Sequence, residues 1–151
     1  KMQTMTKRRT FIKFLIGAAS LALIPMRALA AVWNSPAFQA TQMQEALVGL
    51  GVNRLNASSL ITVVAPDKAE NGAVVQIEIT SNIPNTESIS ILVDKNPTSL
   101  IAYFKFSQGA DPFVVTRIKM AETSDVQAVI KADNQYFVGK KRVEVLENGC
   151  G

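Results

Sequence analysis

From Leu60 onward the chain alternates apolar and polar residues with a period of two, and this narrows the possible folds more than any other feature. Ala73–Thr80 sets Val75, Ile77 and Ile79 on one face and Gln76, Glu78 and Thr80 on the other. Ser88–Val93 repeats the pattern through Ile89, Ile91 and Val93. With Leu60–Ala65, Leu100–Phe106, Phe113–Met120, Val126–Ala132 and Tyr136–Leu146 the sequence predicts seven short strands. Polar turns separate them: Asn71-Gly72, a strong hairpin signal, then Gly109-Ala110-Asp111-Pro112 and Asp133-Asn134. Short strands at even spacing predict an all-β chain folded as an antiparallel β-sandwich. One short helix is predicted ahead of them, over about 36–48, with Ser35 as N-cap and Pro36 at its first position. Met43, Ala46, Leu47 and Leu50 give it one apolar face, which reads as packing, and Gly49 and Gly51 mark its end.

Charge divides the chain. The formal net charge is +4, from 16 Lys and Arg against 12 Asp and Glu. Six of the positive residues (Lys1, Lys7, Arg8, Arg9, Lys13, Arg27) precede Ala31, where no acid occurs, so residues 31–151 are slightly acidic. No basic surface for nucleic acid is expected there. The first thirty residues read as an address. Arg8-Arg9 precedes an apolar run, Phe14–Ile24, too short to span a bilayer. Ala28-Leu29-Ala30 then supplies a small-x-small cleavage pattern. The paired arginines give residues 1–30 the character of a twin-arginine (Tat) signal, which implies export to the periplasm and no membrane attachment after cleavage. Residues 31–146 are the expected sandwich domain with its helix.

There is no His, which excludes imidazole catalysis and His-ligated metals. One Cys excludes an internal disulfide and a Cys-rich zinc site. Asp111, Glu122, Asp125 and Asp133 fall in or near predicted turns, where turn-making and solubility account for them better than paired acid–base work. Lys140-Lys141-Arg142 on the last strand has two readings: a protected sheet edge or solvated face, or a docking patch for an acidic partner or an anionic group near the tail.

The remaining chemistry is at the end. The single Cys150 stands between Gly149 and Gly151, after Glu147-Asn148. Unpaired cysteines are usually core residues, and a terminal tail provides no core. Glycine on both sides leaves little bulk around sulfur. Nothing adjacent in sequence lowers the thiol pKa, since Glu147 and the terminal carboxylate disfavour a thiolate. Residues 147–151 therefore read as a flexible arm that presents a thiol to another protein's active site. The alternatives are an interaction module crosslinked through Cys150, an accidental terminal cysteine and, less well supported without His, a thiol enzyme acting alone.

Several stretches together resemble the SoxY family of the bacterial Sox sulfur-oxidation system. They are the Tat-like leader, Ala65-Pro66-Asp67-Lys68-Ala69-Glu70-Asn71-Gly72-Ala73-Val74-Val75, Asp94-Lys95-Asn96-Pro97, and Arg117-Ile118-Lys119-Met120-Ala121-Glu122-Thr123-Ser124-Asp125-Val126. The terminal Gly149-Cys150-Gly151 is the most specific part. The family pattern there is Gly-Gly-Cys-Gly-Gly; here Asn148 replaces the first glycine and Gly151 is the last residue. The resemblance implies an immunoglobulin-like sandwich that pairs with a second sandwich subunit, SoxZ. It implies that Cys150 covalently holds thiosulfate-derived groups. SoxAX, a cytochrome, would load them, SoxB, a dimanganese hydrolase, would release sulfate, and in some systems a sulfane dehydrogenase would oxidise the remaining sulfur. By that analogy the chain itself is not an enzyme and binds no metal, haem or other cofactor.

Overall fold

The computed structural model describes residues 34–147. Two short helices lead nine strands. The helices are α1 (Ser35–Gln39) and α2 (Met43–Gly49). The strands are β1 (Leu55–Ala57), β2 (Ile61–Val64), β3 (Lys68–Asn71), β4 (Val75–Ser81), β5 (Thr86–Val93), β6 (Leu100–Lys105), β7 (Phe113–Ile118), β8 (Ser124–Ala132) and β9 (Gln135–Glu147).

One sheet runs β1-β9-β8-β5-β6, with β3 also paired to β9, and the other runs β2-β4-β7. This is an immunoglobulin-like sandwich. The period-two pattern explains its core: Ile77 and Ile79 of β4 meet Ile89, Ile91, Ala128, Ile130 and Val143 across the two inner faces. A sheet covered on one face shows alternating burial, whereas a central strand covered on both does not. In β5 every residue from Ser88 to Val93 is buried, because Leu92 faces outward beneath the helices together with Leu100 and Val129.

The single helix predicted over 36–48 is two, broken where Ala40 is extended. Packing is the reason. Gly49 lies so close to Ala37 that a Cβ there would sit 2.8 Å from the Ala37 Cα. A continuous helix would hold positions 37 and 49 more than three turns apart. The cap also shifts: Asn34, not Ser35, accepts from the Ala37 N–H at 3.3 Å, and its amide donates to Gly49 O at 2.6 Å.

Asn71-Gly72 does not close a two-residue hairpin. β2 and β4 do pair antiparallel, Val64 opposite Glu78, but the chain between them crosses to the other sheet as β3. There it runs parallel to the end of β9, pairing Lys68 with Glu144 and Asn71 with Glu147. β1 is likewise parallel to β9, Leu55 opposite Tyr136. These two short strands are additions to the seven predicted, and both carry too few residues to show a period. Their parallel pairings join a sandwich that is otherwise antiparallel.

Candidate functional site

β9 spans 13 residues, about 40 Å of extended chain, and delivers the backbone from one end of the sandwich to the other. At its far end Val143 and Val145 turn into the core, 0% and 8% exposed, while Glu144, Leu146 and Glu147 face solvent. Backbone and side-chain bonds hold this end where hydrophobic contact thins out. The Glu144 N–H donates to Asp67 O at 2.9 Å, and the Gly72 N–H donates to Glu147 O at 2.9 Å. The Thr123 hydroxyl accepts from the Val145 N–H at 2.8 Å and donates to Val145 O at 3.4 Å. A Lys68–Glu144 ion pair at 3.2 Å lies outside, both side chains about half exposed or more, and adds little.

The loops that make these contacts are themselves pinned. Asn96 is 9% exposed; its amide donates to Lys119 O at 2.7 Å, and its carbonyl accepts from the Ala121 N–H at 2.8 Å. The Met120 N–H donates to Gly72 O at 2.7 Å. Asn96 thus sets the 119–121 loop, that loop sets Gly72, and Gly72 sets Glu147. The chain is anchored up to the Glu147 carbonyl, three residues short of Cys150.

Cys150, Asn148, Gly149 and Gly151 lie outside the described residues, as do Arg8 and Arg9 of the leader. Covalent geometry alone limits Cys150 to about 10 Å from Glu147. Asp111 lies in the β6–β7 loop, Glu122 and Asp125 near the start of β8, and Asp133 in the β8–β9 turn. Asp125 pairs with Arg142 at 3.4 Å, and Asp133 accepts from the Asn85 amide in a turn where Asp133 and Asn134 both have positive φ. Among the described residues no three acidic or thiol side chains converge as a metal site would require. The run Lys140-Lys141-Arg142 splits across the two faces of β9. Lys141 binds Asp67, Arg142 binds Asp125, and Lys140 stands exposed opposite Gln127. The Lys141 hydrogen bond and charge hold the Asp67 carboxyl below its ordinary range. Glu87 is lowered in the same way by its 2.8 Å bond to Lys131, whose own pKa that bond raises.

A cleft of about 520 Å³, lined by Ser81, Asn85, Phe106, Gln108 and Pro112 among others, opens at the opposite end of the sandwich from Glu147. Sequence reasoning missed Asn96, Thr123 and Gly72 as supports of the tail. They act through bonds to residues more than twenty positions away, and no local motif announces such bonds.

The model of the sulfur oxidation protein SoxY matches residues 46–150, a span that takes in all nine strands. The chain belongs to the SoxY family. Among solved structures, this SoxY-family chain is similar to the sulfur carrier protein SoxY from Chlorobium limicola f thiosulfatophilum. The two are 28% identical with a TM-score of 0.62, over 68% of this chain and 93% of that one. Two other likenesses are weaker. A chain in a structure of T cell recognition of the bacterial superantigen toxic shock syndrome toxin-1 is 15% identical with a TM-score of 0.41, over 57% of this chain and 99% of that one. A lytic polysaccharide monooxygenase from Jonesia denitrificans is 18% identical with a TM-score of 0.38, over 52% of this chain and 56% of that one. No curated protein matches the chain.

Proposed function

We propose that this SoxY-family protein is a covalent sulfur carrier and not an enzyme, with Cys150 as the attachment point. One observation carries the reading: β9 is held to the core and to β3 as far as Glu147, and the only cysteine follows three residues later. The sandwich is then a rigid handle, and Asn148, Gly149 and Gly151 form the short arm around the sulfur. Family membership and the likeness to a sulfur carrier support the same reading.

In this reading the thiol of Cys150 and thiosulfate lose one proton and two electrons and form a sulfur–sulfur bond. The electrons pass to a cytochrome partner of the SoxAX kind. Water then cleaves the terminal sulfonate as sulfate in a SoxB-like hydrolase and leaves a persulfide on Cys150. A sulfane dehydrogenase, where present, oxidises that sulfur. The reduction potential and the hydrolytic machinery belong to the partners; this chain contributes reach and an uncrowded sulfur. A SoxZ-like subunit completes the carrier. In the same reading, the leader with Arg8 and Arg9 is a Tat signal and the carrier works in the periplasm.

The test is the intact mass of the native protein from cells oxidising thiosulfate, with and without reductant, followed by peptide mapping. A sulfane or sulfonate adduct on the Cys150 peptide, removed by reductant, is expected. A bare thiol, or only a disulfide between two copies, refutes the carrier reading and favours an interaction module.

A further inference from the structure

The sequence Asn71-Gly72 serves neither as a hairpin turn nor in the carrier chemistry, yet its geometry is specific. Asn71 ends β3 exposed, opposite Glu147. Its side-chain oxygen accepts from the Ala73 N–H at 2.7 Å. Gly72 is buried; its N–H is committed to Glu147 O at 2.9 Å and its carbonyl to the Met120 N–H at 2.7 Å. An asparagine followed by glycine is prone to one reaction in water. The glycine nitrogen loses its proton and attacks the asparagine Cγ. The carbon–nitrogen bond to the side-chain amide breaks, ammonia leaves, and a five-membered succinimide forms. Water then opens the ring at either carbonyl, giving aspartate or isoaspartate. One water enters, one ammonia departs, and no electrons are exchanged. Glycine permits the reaction because no Cβ blocks the approach of its nitrogen.

We propose that Asn71 is a modification site, a gated deamidation site at the base of the tail. While β9 is docked, the attacking nitrogen is hydrogen-bonded to Glu147 O, and that bond also keeps the Asn71–Gly72 peptide plane from turning toward Cγ. When the last residues of β9 lift away, the Glu147 bond is lost, which frees the Gly72 proton and lets the Asn71–Gly72 peptide turn, while the Met120 bond to the Gly72 carbonyl stays in place. The product then fixes the lifted state. Isoaspartate adds a methylene to the β3 backbone and breaks the register of position 71 with Glu147. Aspartate sets a second negative charge opposite Glu147. The last secure anchor becomes Val145, which is buried and held by Thr123. If the tail is the carrier arm, as proposed above, the span to Cys150 grows from three residues to five, or to about 17 Å.

The reaction is tested without sulfur chemistry, so its failure and that of the carrier reading are separable. The full chain is incubated at mildly alkaline pH, and amide-to-acid conversion is followed by peptide mapping. Asn148-Gly149, the same dipeptide, serves as the reference within the chain. Asn71 is expected to convert about tenfold more slowly than Asn148, the protection one such hydrogen bond gives at the upper end of its range. Thr123→Val removes both side-chain bonds to Val145; it should speed hydrogen exchange at the Gly72 amide and conversion at Asn71 together, leaving Asn148 unchanged. Urea well below the unfolding midpoint opens the same contact without a substitution and should give the same pairing of rates. Equal conversion at Asn71 and Asn148 in the native protein overturns the proposal. So does faster Gly72 exchange with no change at Asn71.

Discussion

The two stretches Asp94–Pro97 and Arg117–Val126 meet at one side chain, and Asn96→Ala tests whether that junction supports the tail. Asn96 makes two short bonds to the 119–121 loop and is 9% exposed. Alanine removes both and leaves the Lys119 carbonyl and the Ala121 N–H without partners in a half-dry site. Each lost bond costs about 1 kcal/mol, and stranding the partners brings the total to about 2–3 kcal/mol. Urea unfolding should show the midpoint falling by roughly 1–2 M with an unchanged slope. Asn96→Asp separates the two bonds. The new carboxylate still accepts from Ala121 but cannot donate to Lys119 O, and it sets a negative oxygen against that carbonyl. Protonation restores a donor, so the site favours the neutral acid and holds its pKa above the unfolded value of about 3.9. The deficit is therefore full at neutral pH and shrinks as the pH falls through the raised pKa. A midpoint for Asn96→Ala within about 0.3 M of wild type, or an Asn96→Asp deficit that deepens in acid relative to wild type, would refute the reasoning.

Three further outcomes are expected. Cys150→Ser should abolish any sulfur adduct and thiosulfate oxidation while leaving the thermal midpoint unchanged; retained oxidation in cells with no second copy of the gene counts against the carrier role. Gly139→Ala should destabilise by about 1–3 kcal/mol through overpacking, since a Cβ there meets the Ile61 Cγ2 at 2.7 Å; in the Ile61→Ala background the added penalty should largely vanish, measured as a double-mutant cycle by urea unfolding. Lys141→Met should return the Asp67 carboxyl toward its ordinary range in an NMR titration, because the Lys141 hydrogen bond and charge are what lower it. A lowered carboxyl stabilises above its unfolded pKa and loses that contribution as pH falls through the folded one, so the substitution should also remove part of the acid sensitivity.

The candidate site proposed around Cys150 rests on sequence alone, because its chemistry is local. A lone cysteine between two glycines is a statement about neighbours in sequence, and no tertiary contact is needed to read it. The alternating strands were legible for a related reason: a sheet buried on one face imposes period two on each strand by itself. Ile77 and Ile79 had to face a core whatever their partners were. What remained hidden depends on which segments meet. β3 is four residues with one buried side chain, and only its pairing to β9 makes it a strand. Asn71-Gly72 carries a strong hairpin signal, yet the backbone groups at the end of β9 needed partners, and the crossing chain supplied them. The helix broke because Gly49 packs against Ala37, a contact between faces that periodicity within one helix cannot register. The sequence alone determined the sandwich, the position of the thiol and the small groups around it. Tertiary structure decided how the last residues of β9 are held, because the bonds from Gly72 and Thr123 to Glu147 and Val145 come from loops distant in the chain.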